Sequence, residues 1–281
     1  MKILISGMGS AGTRHGAYLR ELGVLVLWYD PEPDRIWSGR RVETWEEGIQ
    51  LRPDGAVICS PIAVHGQQAL AAVEAGIPCF VEKPLAATVQ EGEKVVQAAD
   101  RRGVLVMVGY QFRFLPSLQV LRVEARQATC YAAQMVFAYD LAKWHGGGAP
   151  YRGDIVAEAS HELDLLCQWW GEPARVQGMA QCIKQQELPD CAWLGLRWPG
   201  RLAGVYVDGI APRYLRVIRL FDQRRGMREW IFDEQENVAA YRQELRTFLE
   251  GITTGQVGLG CTGAEGVRVL RVIERVRATS A

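Results

Sequence analysis

The feature that most constrains this chain is its opening: a compact apolar run, Lys2 to Ser6, flows directly into Gly7-Met8-Gly9-Ser10-Ala11-Gly12. The run reads as a buried strand, and the six residues fit G-x-G-x-x-G at a strand-to-helix turn. In that arrangement the first glycine permits the tight turn. The second lets the backbone approach a pyrophosphate, and the third lets the helix pack close to the strand. The free N–H groups at the helix start, including those of Ser10 and Ala11, then face the phosphate charge. Asp30 ends the second strand 18 residues after Gly12, near the spacing of the carboxylate that takes the ribose hydroxyls. Such a carboxylate repels a 2′-phosphate, so NAD is favoured as cofactor. Arg35 and Arg14 leave NADP possible.

The rest of the first half repeats the rhythm. Val24–Tyr29, Ala56–Cys59, Cys79–Val81 and Val104–Val108 are short apolar runs separated by helix-like segments at 13–22, 65–75 and 90–102. Fully apolar strands alternating with helices imply a parallel sheet covered on both faces. After Pro116 the pattern changes to half-buried strands arriving close together: 132–139, 193–198, 202–207 and 215–221. A helix at 161–170 interrupts them, and helices at 238–252 and 264–277 close the chain. The expected fold class is therefore α/β. It has an N-terminal Rossmann doubly wound parallel sheet over 1–118 and a C-terminal α+β domain with a mostly antiparallel open sheet over 119–281. The open sheet has one face to bury, so a homodimer or homotetramer is expected.

Composition removes several function classes. Lys and Arg total 32 against 32 Asp and Glu, without the basic excess that nucleic acid binding draws on. No apolar stretch is long enough to span a bilayer, and the opening run is too short for a signal-peptide core, so a cytoplasmic location is expected. Seven scattered cysteines without a CxxC pair read as reduced thiols, neither a disulfide framework nor a zinc site, and no metal is expected. His161-Glu162 begins like H-E-x-x-H but has Leu165 at the second histidine position. His145-Gly146-Gly147-Gly148 resembles a lipase oxyanion loop, yet no G-x-S-x-G elbow accompanies it.

Five motifs in order carry a family resemblance. They are the glycine cluster; Ser60-Pro61 with His65; Glu82-Lys83-Pro84; Gly109-Tyr110-Gln111-Phe112-Arg113-Phe114; and Ser160-His161-Glu162-Leu163-Asp164. The chain resembles a short member of the Gfo/Idh/MocA oxidoreductases, NAD(P)-dependent enzymes acting mostly on sugars, cyclitols and nucleotide sugars. The resemblance implies that Ser60, Pro61, His65, Glu82, Lys83 and Gln111 border the cofactor. It puts Lys83 beside the nicotinamide and the substrate hydroxyl, with Pro84 preceded by a cis bond. It also makes His161 a second acid/base, with Asp164 one turn along on the same helical face. Arg113 is implied in substrate binding. Many members carry an aspartate four residues before that histidine; here the position is Ala157, with Glu158 next as a candidate substitute. Trp144, Tyr151 and Arg152 resemble a substrate mouth of amino-sugar enzymes. Two other readings stay open: a dinucleotide-binding regulator without turnover, and a reductase of a C=N or C=C bond.

Overall fold

The computed structural model describes residues 1–140, 154–184 and 188–279. The chain divides into two compact units. Unit 1 is Met1–Phe114 with Asn237–Leu270; unit 2 is Leu115–Glu236 with Arg271–Ala281. A single cut near 118 leaves out the return of the chain into the first unit. The apolar contacts of 237–270 explain that return: Phe248 packs on Phe80 at 5.8 Å between ring centroids, and a Cβ on Gly55 would lie 2.7 Å from Ile252.

Unit 1 is built on strands β1 (Lys2–Ser6), β2 (Leu25–Tyr29), β3 (Arg40–Arg41), β4 (Gly55–Ile58), β5 (Cys79–Glu82) and β6 (Val106–Gly109). Between them run α1 (Ser10–Glu21), α2 (Trp45–Gln50), α3 (Ile62–Glu74) and α4 (Val89–Arg102). The order β6-β5-β4-β1-β2-β3 is parallel throughout, as the continuous apolar runs imply. Strands β4 and β6 are buried along their whole length. Helix α4 starts where the Thr88 hydroxyl accepts the Glu91 N–H, and it stops at Gly103 with φ +63°. Late in the chain, β13 (Cys261–Thr262) adds antiparallel to β6.

Unit 2 opens with α5 (Pro116–Ala125). Its sheet has the order β12 (Gly226–Ile231), β11 (Ile210–Asp222), β7 (Cys130–Asp140), β10 (Arg201–Asp208), β9 (Cys191–Trp198) and β8 (Arg175–Gln181). All pairings are antiparallel except β10 with β7. The short α6 (Ile155–Glu158) and α7 (Ser160–Trp170) belong to this unit, and almost every residue of α7 is buried. Helices α8 (Glu234–Thr254) and α9 (Gly263–Arg277) complete the chain. Trp170 packs inside unit 2, donating from its indole N–H to the Ala125 carbonyl and meeting Trp198 edge-on at 5.1 Å.

Within α7, Glu162 forms a buried ion pair with Arg216 of β11, Nε to Oε1 2.6 Å, with the two side chains 1% and 5% exposed. The guanidinium lies 3.7 Å over the Phe137 ring, and Phe137 stacks on Tyr139 at 4.4 Å. No helix among the described residues is long and apolar enough to cross a membrane, and no metal-binding cluster occurs among them. All seven cysteines are free thiols.

Candidate active site

Parallel register brings the sequence motifs of unit 1 to one edge. Tyr29, Ser6, Ile58, Val81 and Val108 lie in one row across β2, β1, β4, β5 and β6. Asp30, Gly7 and Cys59 follow this row and begin their loops, while Glu82 and Gly109 pair with each other and close β5 and β6 just before Lys83 and Tyr110. Open parallel sheets keep their ligands at this edge, where the strand order reverses.

Each glycine of the first loop has its own reason. Gly7 has φ +84°, and a Cβ there would lie 2.6 Å from the Cys59 carbonyl oxygen. A Cβ on Gly12 would fall 1.8 Å from the Gly7 carbonyl oxygen, so the third glycine lets α1 seat against the turn. Gly9 differs: its φ is −71°, and a Cβ would meet nothing within 4 Å. Neither sterics nor conformation within the chain explains it. It heads α1, which has no capping side chain and no acidic residue in its first turn. An open approach to uncapped N–H groups fits a dinucleotide pyrophosphate.

These features separate two substitutions. Gly12→Ala is expected to destabilise the protein by about 1–3 kcal/mol through overpacking. Gly9→Ala is expected to leave the melting temperature unchanged or raised, since alanine there costs no strain and stiffens the unfolded chain. It should instead weaken NADH binding about tenfold, the methyl occupying the ligand's approach. Thermal melts and a fluorescence titration check both.

Asp30 is 6% exposed, and its carboxylate accepts from Met8 N–H at 2.6 Å and Glu32 N–H at 3.0 Å. It thus braces the glycine loop, and the Arg35 Nε lies 3.7 Å away. In the third loop, Ser60 donates to Gln68 Oε1 at 2.7 Å. His65 is buried and within reach of two carbonyl oxygens, Pro84 at 2.9 Å and Ser60 at 2.7 Å. The Lys83–Pro84 bond is cis. Glu82 accepts from the Lys83 backbone N–H at 3.2 Å.

Several residues around Glu82 lay outside the motifs. His15 of α1 is fully buried, its Nε2 2.6 Å from Glu82 Oε1. The Arg14 guanidinium is 3.7 Å from the same oxygen and 4.0 Å over the ring of Tyr241. Gln111 donates to the Tyr241 hydroxyl at 3.0 Å, and buried Glu244 follows three residues later. The available signal for His15 was position: it shares the buried face of α1 with Gly12, Gly16 and Leu19. A histidine on such a face needs a polar partner. Arg113 is buried, with Nη1 held by the Gly260 carbonyl at 3.1 Å and Glu265 at 3.2 Å.

Burial raises the Glu82 pKa, but the hydrogen bond from His15 and the charges of His15, Arg14 and Lys83 outweigh it and bring it from 4.5 to about 2. Burial likewise pushes the Cys59 thiol up. Because the folded pKa of Glu82 is depressed, its stabilising contribution is complete above pH 4.5 and is lost as pH falls toward about 2. The shift corresponds to about 3 kcal/mol. Urea melts across that window are expected to show a steep acid loss in the parent and a shallower one in Glu82→Gln.

In unit 2, His161 and Asp164 are buried on α7 at 6% and 0% exposure, one turn apart. Glu158 ends α6 and is half-buried, as is Ala157 before it. Trp144, Tyr151 and Arg152 lie outside the described residues.

Comparison with known proteins agrees with this geometry. Residues 1–110 match the Gfo/Idh/MocA family model, described as an oxidoreductase family with an NAD-binding Rossmann fold. UDP-N-acetylglucosamine 3-dehydrogenase from Acidithiobacillus ferrooxidans is 24% identical over 80% of this chain and 72% of its own. Inositol 2-dehydrogenase from Paracoccus denitrificans is 38% identical, over 27% of this chain and 23% of the relative. A solved structure of the Acidithiobacillus enzyme superposes with a TM-score of 0.85 at 20% identity, covering 100% of this chain and 97% of that one. The WlbA dehydrogenase from Bordetella pertussis, solved with NADH and UDP-GlcNAcA, gives 0.83 at 19% identity, with 99% and 96% covered. Residues 1–110 therefore match the NAD-binding Rossmann model of the Gfo/Idh/MocA family, and the chain shares the fold of these solved dehydrogenases.

Proposed function

We propose that the chain is an NAD-dependent dehydrogenase or reductase that interconverts an alcohol and a ketone on a sugar-like substrate: a sugar, amino sugar, nucleotide sugar or cyclitol. The observation that carries this reading is the register row. It sets the open glycine turn, the Ser60 loop and Lys83 at the ends of adjacent parallel strands. The relatives named above as UDP-N-acetylglucosamine and inositol dehydrogenases support the substrate class.

Gly7, Gly9, Ser10, Ala11 and Gly12 would hold the pyrophosphate and Asp30 the ribose. Ser60, Pro61, His65, Glu82 and Gln111 would frame the nicotinamide side. A bound nicotinamide supplies hydride acceptance or donation at its C4. The protein's part is position and proton handling. The Lys83 ammonium donates to the carbonyl oxygen as it gains charge, or its neutral amine takes the hydroxyl proton in the opposite direction. His161, with Asp164, is the second proton carrier in this reading, and Glu158 stands in for the missing aspartate beside Ala157. Arg113, Trp144, Tyr151 and Arg152 are the candidate substrate contacts, with Arg113 acting through its Glu265 pair.

For the cofactor, the Asp30 carboxylate favours NAD over NADP despite the neighbouring Arg35. A preference of about tenfold needs only the ~1.4 kcal/mol that one near-surface charge contact supplies. Titrating NADH and NADPH, then assaying a panel of sugars, nucleotide sugars and cyclitols, tests the reading. Binding of NADH with substrate-dependent turnover supports it. Binding with turnover only on imines would favour C=N reduction, and binding without any turnover would favour a regulator.

The open face of the second sheet supports a homo-oligomer. Met179, Trp193, Tyr206, Val136, Val217 and Ile231 form one row across all six strands. Met179, Trp193 and Ile231 are 61%, 41% and 58% exposed. Val217 in the same row is buried, so the exposed apolar side chains lie toward the two sides of the sheet, where such surface supports association. Light scattering on the eluting protein is expected to give a dimer or tetramer, and Trp193→Glu a smaller species.

A further inference from the structure

Lys83 has two neighbours in the chain, and a buried histidine grips each of them. On one side, Glu82 accepts from Lys83 N–H through Oε2 at 3.2 Å, while its Oε1 meets His15 Nε2 at 2.6 Å. His15 belongs to α1, the helix that starts at the glycine turn. On the other side, the Pro84 carbonyl oxygen lies 2.9 Å from His65 Nδ1. His65 belongs to α3, and its Nε2 lies 2.7 Å from the Ser60 carbonyl oxygen. The two side chains are 0% and 2% exposed, so water does not compete for these bonds. Carbonyl oxygens only accept, so His65 holds these loops by donating a ring N–H.

We propose that His15 and His65 are positioning residues for Lys83, with His65 tying the Ser60 loop to the Lys83–Pro84 turn. His15 ties the same turn, through Glu82, to the helix of the glycine loop. The turn carrying Lys83 is thereby anchored to two loops that border the dinucleotide, and its placement is set by them. This deepens the proposed function, because it rests on Lys83 as the proton-handling group.

The histidine rings give a direct readout that needs no substrate. The chain has only four histidines, so His15→Gln and His65→Gln assign their ring signals by subtraction. Nitrogen NMR of the parent is expected to show hydrogen-bonded ring N–H signals of His15 and His65 that exchange slowly with water, whereas rapid exchange of both would overturn the clamp. A second readout is acetylation of the Lys83 amine, followed by peptide mass spectrometry with exposed Lys94 as internal reference. His65→Ala and His15→Ala are each expected to change the Lys83-to-Lys94 ratio about threefold or more, since the amine loses its fixed surroundings. An unchanged ratio in both variants, with folding confirmed by thermal melts, overturns the clamp.

Turnover on a substrate found by the panel gives the third readout. Each Ala variant should lose about tenfold or more in kcat, and in His15→Ala the NADH Kd should stay within about twofold, as for a displaced reacting group. His15→Gln, which keeps an N–H donor toward Glu82, should recover most of the loss. A kcat that falls only in step with NADH affinity, or no rescue by Gln, would make the histidines merely structural. If Lys83→Ala itself turns over normally, the proton-handling role of Lys83 fails, while ring N–H exchange and the acetylation ratio still decide the clamp.

Discussion

Replacing Lys83 with alanine is expected to lower turnover by about 10²–10⁴-fold, the range a positioned proton carrier contributes, while NADH affinity stays within about twofold. The separation follows from where the contacts lie. The turn around Lys83 is fixed by Glu82 and by the Pro84 carbonyl, neither of which uses the lysine side chain. Removing the amine therefore leaves the loops and the glycine turn standing. Lys83→Arg retains a cation but cannot release a proton near neutrality, so it should rescue neither direction fully. The measurement is kcat and KM with the best panel substrate, alongside NADH fluorescence. Parent-like turnover in the alanine variant would remove Lys83 from the mechanism and leave the fold and cofactor reading intact.

The second large effect belongs to stability. Arg216→Ala is expected to cost about 3–5 kcal/mol, because it strands the Glu162 carboxylate in a buried site. The pair is 2.6 Å apart, and the guanidinium also donates to the Tyr214 hydroxyl at 3.2 Å and covers the Phe137 ring. Its removal thus takes away charge balance, a hydrogen bond and packing together. A double variant, Arg216→Met with Glu162→Leu, should recover much of the loss, since buried ion pairs often do no better than apolar groups of like volume. Urea denaturation of the single and double variants forms the cycle. A single variant within about 1 kcal/mol of the parent would show that the pair is solvated in solution.

The residues that announced the fold did so because their burial is uniform. Strands β1, β4, β5 and β6 are continuous apolar runs, which only a sheet covered on both faces requires. The same logic failed for edges. Strand β12 (GMREWI) is mostly exposed and β8 (RVQGMAQ) alternates weakly, so neither shows the pattern of a half-buried strand. The two-residue strands β3 and β13 are too short to have a period. Helix α5 was missed although Pro116 heads it and Leu118, Leu121 and Ala125 line its buried side. Among the candidate site residues, the glycines and Asp30 were read from spacing within the first 30 residues, and Ser60 and Lys83 from the short motifs that carry the resemblance. His15 was not, because its partner Glu82 lies 67 residues on, and Tyr241 was not, because its partner Gln111 lies 130 residues away; both relations exist only once sheet and helices are assembled. Arg113 shows the reverse: its motif was legible, but its partner Glu265 lies 152 residues on.

The discontinuity of unit 1 has a consequence for how the chain is made. A ribosome delivers residues in order, so the whole of Leu115–Glu236 emerges before Asn237–Leu270 exists. Until then Phe80 and Gly55 lack Phe248 and Ile252, and β6 stands as an open sheet edge without β13. The nascent first half is thus a near-complete nucleotide fold with one apolar side and one strand edge awaiting the last stretch of synthesis. A ribosome-stalled or truncated chain ending at residue 118 should consequently be recognised by chaperones and proteases where the finished chain is not.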